Sequence, residues 1–178
     1  MISRLDLVPG TSSRHGLHYW EPVVDGRPLR DLLAEADGVD DIVGDHVPVL
    51  VHNWPVPLLD DVLVLLGERE SELTSGRAPL FVCSACADLG CGAITATVER
   101  TPETVVWRDF GWEVNYVLDD EDDDDRLSAG PVVFDRAQYE SELRRFVDTF
   151  GEVRASLPPR AGLVAAEPAR RRRWWPFG

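Results

Sequence analysis

Lysine is absent from this chain; all 18 basic residues are arginine. That substitution of one base for the other reads as codon bias rather than as chemistry. Cysteine is nearly absent as well, with three residues in 178, all between positions 83 and 91. Such economy excludes the disulfide-stapled secreted scaffolds, which spread even numbers of cysteine along a short chain. No apolar run reaches the length of a membrane span, and the opening MISRLDLVPGTSS carries no apolar core of a secretory leader. The expected setting is therefore a bacterial-type cytoplasm, where thiols stay reduced and clustered cysteines bind metal or do chemistry before they form bridges. Positive charge is also scarce: 32 acidic residues face 18 arginines, for a net charge of −14 and a pI near 4.6. Phosphate contacts need clustered cations, so no nucleic acid is expected as a partner. The charge reads instead as solubility, or as a surface for a basic protein partner.

What is present suffices for one core. The apolar share is 44%, ordinary for a globular domain of this length. Residues Leu5–Pro9 and Leu17–Val24 read as strands, the second closed by the turn dipeptide Asp25-Gly26. Pro28 opens a short helix that Gly38 ends. Val47–Val56, with prolines at 48 and 55, reads as an edge strand or an extended loop, because proline cannot donate to a ladder. Leu58–Gly67 has helical spacing in Leu59, Val62, Leu63 and Leu66, with a polar continuation through Glu68–Leu73.

The firmest pattern follows. Ala78–Cys83 and Gly92–Arg100 read as strands on either side of a tight corner, and Thr101-Pro102-Glu103 turns the chain into a third, Thr104–Val117, bent at Gly111. Gly130–Phe134 is a further short strand. Asp135 caps a helix running to Phe150, with Tyr139, Leu143, Phe146, Val147 and Phe150 on one face. The order is α+β: a single domain over 1–157, an antiparallel sheet with its meander around residues 78–117, and packed helices. Residues 158–178 read as a Pro/Ala-rich linker and a flexible basic-aromatic tail. Its arginines 170–173 beside Trp174, Trp175 and Phe177 suit contact with a membrane surface. The acidic run Asp119–Asp125 reads as a solvated loop, since it lacks the glycine and spacing of a calcium loop. Asp109-Phe110-Gly111 matches a kinase tripeptide by letters alone, without the other kinase motifs.

The corner VCSACADLGCGAI concentrates the chemistry. Cys83-x2-Cys86 is the spacing of half a thiolate zinc site, and Cys91 adds a third sulfur. Three readings stand side by side. In the first, Cys83, Cys86 and Cys91 bind zinc, with the fourth position filled by Asp88, His46, His52, a neighbouring chain or solvent. In the second, the three form a thiol-dependent oxidoreductase centre, although a reactive C-x-x-C usually opens a helix and this one leads into a β pattern. In the third, they pack as small hydrophobes. The functional expectation is a binding or interaction protein with a structural cysteine cluster, with the oxidoreductase as the alternative.

The stretches FVCSACADLGCGAITATVER, VVWRDFGWE and VVFDRAQY resemble a family of small bacterial proteins with a C-x-x-C-x-D-[LI]-G-C-G-A core and a V-x-W-x-D-F-G-x-E segment. The likeness covers about residues 60 to 145. Ser84 and Ala87 stand where the family has proline and glycine. The family has no established activity, so the resemblance implies no catalytic residue here.

Overall fold

The computed structural model describes residues 1–37, 46–55, 59–115 and 126–158. In chain order the elements are β1 (Leu5–Ser12), β2 (Leu17–Val24), β3 (Arg27–Pro28), α1 (Leu29–Asp37), β4 (His46–Pro48), α2 (Asp60–Leu66), β5 (Ala78–Cys83), a 3-10 turn (Leu89–Cys91), β6 (Ala93–Arg100), β7 (Thr104–Glu113), β8 (Val132–Asp135) and α3 (Arg136–Ser156). They form a single α+β domain, as the sequence order indicates. Instead of one sheet there are two, both antiparallel: β1-β2-β3, and β4-β5-β6-β7-β8.

The division has a cause at Pro48. β4 pairs with β5 from His46↔Cys83 to Pro48↔Phe81, and Val49 adds one more bond to the Leu80 carbonyl. Pro48 has no N–H to extend this ladder. The chain then turns to β2, where the Trp20 amide donates to the Leu50 carbonyl and the His52 amide to the His18 carbonyl. One segment thus changes partners and ties the two sheets together.

In the larger sheet, spatial order follows chain order, so each strand pairs with its sequence neighbour. One extra residue sits on β5 between Pro79 and Phe81, where proline again lacks a donor. A second bulge lies on β7: Thr95 pairs with Gly111 but Thr97 with Arg108. Its strained residue is Asp109, at φ 51°, two places before the expected bend at Gly111. β7 itself ends at Glu113; Tyr116 and Val117 lie outside the described residues.

The helices correct several boundaries. Pro28 belongs to β3, paired with Val23, and α1 starts one residue later. Its expected stop, Gly38, lies outside the described residues. α2 does not continue through Glu68–Leu73. Gly67 takes the left-handed conformation at φ 74° and returns its N–H to the Leu63 and Val64 carbonyls, a helix-ending cap. A Cβ there would sit 2.8 Å from the Arg100 guanidinium, which itself donates to the Val64 and Leu65 carbonyls. β8 runs Val132–Asp135 rather than Gly130–Phe134.

Asp135 caps α3, accepting the Gln138 amide at 2.9 Å. The helix passes Phe150 to reach Ser156, burying Tyr139, Leu143, Phe146 and Phe150 as its spacing indicates; Val147 is only half-buried. Tyr139 joins the layers: its hydroxyl donates to the Leu65 carbonyl at 2.9 Å and accepts from Trp107 Nε1 at 3.2 Å. Asp119–Asp125 and the chain beyond Pro158 lie outside the described residues. Among those described, no helix is long and apolar enough to cross a membrane.

Candidate metal centre

β5 delivers Cys83 to the edge of the core. The chain then reverses in a turn closed by the Ala87 amide on the Cys83 carbonyl at 2.9 Å. Ala87 adopts φ 58°, an unusual conformation for a residue with a Cβ. Asp88 caps the following 3-10 turn by accepting the Gly90 amide at 2.7 Å, and the Cys91 and Gly92 amides close on the Asp88 and Leu89 carbonyls at 3.0 Å. Buried Leu89 anchors this loop from below, and its carbonyl also receives the Asn115 amide beyond β7. Gly92, at φ 90°, then lets the backbone pass directly under the Trp112 indole. Only a residue with no side chain fits both that angle and that approach.

This corner brings the three sulfurs within 4.8 Å of one another. Cys86 and Cys91 are in contact, Sγ to Sγ 3.4 Å. A tetrahedral zinc with Zn–S bonds of about 2.3 Å spaces its sulfurs about 3.8 Å apart, so the triangle already has metal-site dimensions. Cys83 is half-buried; Cys86 and Cys91 are exposed, and none of the three is in a disulfide. Packing as hydrophobes therefore does not account for the cluster: two of its three residues are exposed at the surface.

The protonation of the triangle is uneven. Burial pushes the Cys83 thiol up, but hydrogen bonds from the Ala85 and Cys86 amides and from the Cys86 and Cys91 side chains outweigh it, and the thiol ends below its ordinary value. Cys86 moves the other way, pushed up to about 12 by burial of its sulfur and by its bonds and charge contact with Cys91 and Cys83. Charge on Cys83 makes Cys86 resist ionisation. A cation at the centre of the triangle removes that resistance.

None of the expected protein fourth ligands joins the group. Among the described residues, only the three cysteines come together. The Asp88 carboxylate is engaged by the Gly90 amide. His52 is 1% exposed and packed among aromatic rings, 4.5 Å from Phe146, 5.3 Å from Trp20 and 5.6 Å from Phe150 between ring centres. His46 comes nearest in topology, directly opposite Cys83 on β4, but its ring stands edge-on to Trp112 at 5.1 Å. Among the described residues, then, no fourth donor stands with the three sulfurs.

The support around the corner is what sequence reasoning missed. The strand pattern gives Trp112 no role at the corner, and His46 enters only as a candidate ligand. The one available signal was Gly92, a glycine next to a cysteine, which marks a close approach without naming what approaches. No family model matches this chain, and neither a curated protein nor a solved structure matches it significantly.

Proposed function

We propose that this protein is a zinc-binding interaction module, with Cys83, Cys86 and Cys91 as three thiolate ligands to one ion. The observation that carries this reading is the sulfur triangle, three thiols within 4.8 Å on a corner fixed by turns and caps rather than by the ion. Soft thiolates select zinc over the hard oxygen-loving cations. The role is structural. Three thiolates on a divalent ion leave the complex with a net charge of −1, a poor Lewis acid for hydrolysis. Such a centre holds β5, the loop and β6 in one geometry and leaves a fourth position at the surface.

The acidic composition supports a basic protein as the partner, by long-range attraction that salt weakens. The tail arginines and tryptophans support contact with an anionic membrane surface as a separate property of the C-terminus.

Metal analysis of protein purified under reductant tests the zinc reading. One zinc per chain is expected, with thiols that react slowly until a strong chelator is added. Cys86→Ser and Cys91→Ser each lose the ion while keeping the fold. Metal-free protein that also fails to take up added zinc overturns it.

A further inference from the structure

We propose that Cys86 and Cys91 form a reversible disulfide, and that this bond and the bound ion exclude one another. The disulfide stands on geometry alone; the exclusion rests on the zinc reading above.

The two sulfurs are 3.4 Å apart. A disulfide is about 2.05 Å long, so they need to approach by about 1.4 Å, a distance within reach of small side-chain rotations at a surface corner. Both residues are exposed, so a small oxidant reaches them without opening the fold. Cys83 differs. It is half-buried and is the last residue of β5, paired across to His46 and closed by the Ala87 amide on its carbonyl. The backbone holds it while its two neighbours sit on the loop. That loop is already folded back by Ala87 at φ 58° and by the 3-10 turn. Joining residues 86 and 91 therefore asks little of the chain. Exposed bridges of this kind have the more oxidising potentials and are the labile ones.

The oxidant is a peroxide. One thiolate attacks a peroxide oxygen; the O–O bond breaks, a sulfenic acid forms, and the departing hydroxide takes up a proton to become water. The neighbouring sulfur then attacks the sulfenic sulfur. The S–O bond breaks, and the second hydroxide leaves as water with the proton of the attacking thiol. Two thiols lose two electrons and two protons in total, and one peroxide becomes two waters. A low-molecular-weight thiol reverses the reaction by exchange. In the oxidised corner only Cys83 remains an anionic ligand. An ion that needs three thiolates leaves.

The test uses the full chain, reduced and freed of metal, exposed to one equivalent of hydrogen peroxide. Remaining thiols are blocked with one alkylating reagent, the protein is reduced, and a second, isotopically distinct reagent is added. Trypsin releases Ala78–Arg100 as one peptide holding all three cysteines, and fragment sequencing places each label. We expect the first label on Cys83, the second on Cys86 and Cys91, and a monomer on a non-reducing gel. Cys83→Ser keeps the bridge; Cys86→Ser abolishes it. The first label on all three residues, a bridge that includes Cys83, or an interchain bridge overturns the disulfide. A parallel arm starts from zinc-loaded protein, with a chromophoric chelator reporting release. We expect about a hundredfold slower oxidation with free zinc at about 100 times its Kd, and one zinc released per bridge. Zinc that stays bound to bridged protein overturns the exclusion. Protein that takes up no zinc yet forms the Cys86–Cys91 bridge overturns the zinc reading and the exclusion with it, and leaves the disulfide established.

Discussion

The indole of Trp112 lies across the backbone of Gly92, in space that any Cβ at position 92 would fill. The same ring stands edge-on to His46, the cross-strand partner of Cys83. One tryptophan thus touches both sides of the cysteine corner without being a ligand.

Gly92→Ala should therefore be among the costliest single changes near the site. It combines a left-handed backbone angle with a side chain driven into an indole, and the expected loss is roughly 2 kcal/mol or more. Urea unfolding measures it. Trp112→Ala should restore part of the loss in the double variant, because it removes the ring but leaves the strained angle.

Asp88 should behave as a cap and not as a ligand. Asp88→Ala removes the acceptor of the Gly90 amide, a change worth about 1 kcal/mol. Zinc affinity should fall several-fold at most, with stoichiometry unchanged. A competition titration against a chelator of known affinity reads this directly, and loss of the ion would make Asp88 a ligand after all.

His52 should govern acid stability. Burial, with a smaller repulsion from His18, holds its imidazole down to about 4 in the folded state, against 6.5 in the unfolded chain. Below pH 6.5 the unfolded state binds a proton that the folded state refuses. The stabilisation is present above pH 6.5 and is lost as pH falls toward 4, by about 3 kcal/mol at most. Stability measured from pH 7.5 to 4 should show this slope in the parent and a shallower one in His52→Phe.

Asp61 should act with the opposite sign. Burial, reinforced by Glu72 and Asp60 and opposed by Arg69, raises its carboxyl to about 6. The folded state holds the proton more tightly than the unfolded chain, so stability falls as pH rises from 3.8 through about 6. Asp61→Asn should be more stable than the parent at pH 7, by about 1–2 kcal/mol after allowance for solvent screening. At pH 4 the two should be nearly equal, and thermal unfolding at both pH values checks the crossover.

Local patterns carried much of this fold in the sequence. The strand around Ile94, the turn at Thr101–Glu103 and the cap at Asp135 are each decided by residues close in the chain, and each appears where the spacing places it, although β6 is buried on both faces over Ala93–Ala96 instead of alternating. The cysteine cluster was legible for the same reason, since all three thiols lie within nine residues. What escaped depends on partners distant in sequence. Nothing around Pro48 says that the chain after it pairs with β2. The overrun of α2 came from weighing the polar residues after Gly67 above the glycine itself. The exposure of Cys86 and Cys91 was hidden because cysteine is apolar by habit, and only the turn geometry sets which of the three residues lie at the surface.

The crossing of Val49–His52 from one sheet to the other has a thermodynamic meaning. Its amides and carbonyls bond to Leu80 on one side and to His18 and Trp20 on the other. Neither sheet can melt without breaking bonds that belong to the other. The N-terminal hairpin is then no detachable appendage: amide exchange in β2 and in β5 should report the same opening energy, and heating should give one transition where two sheets would otherwise give two.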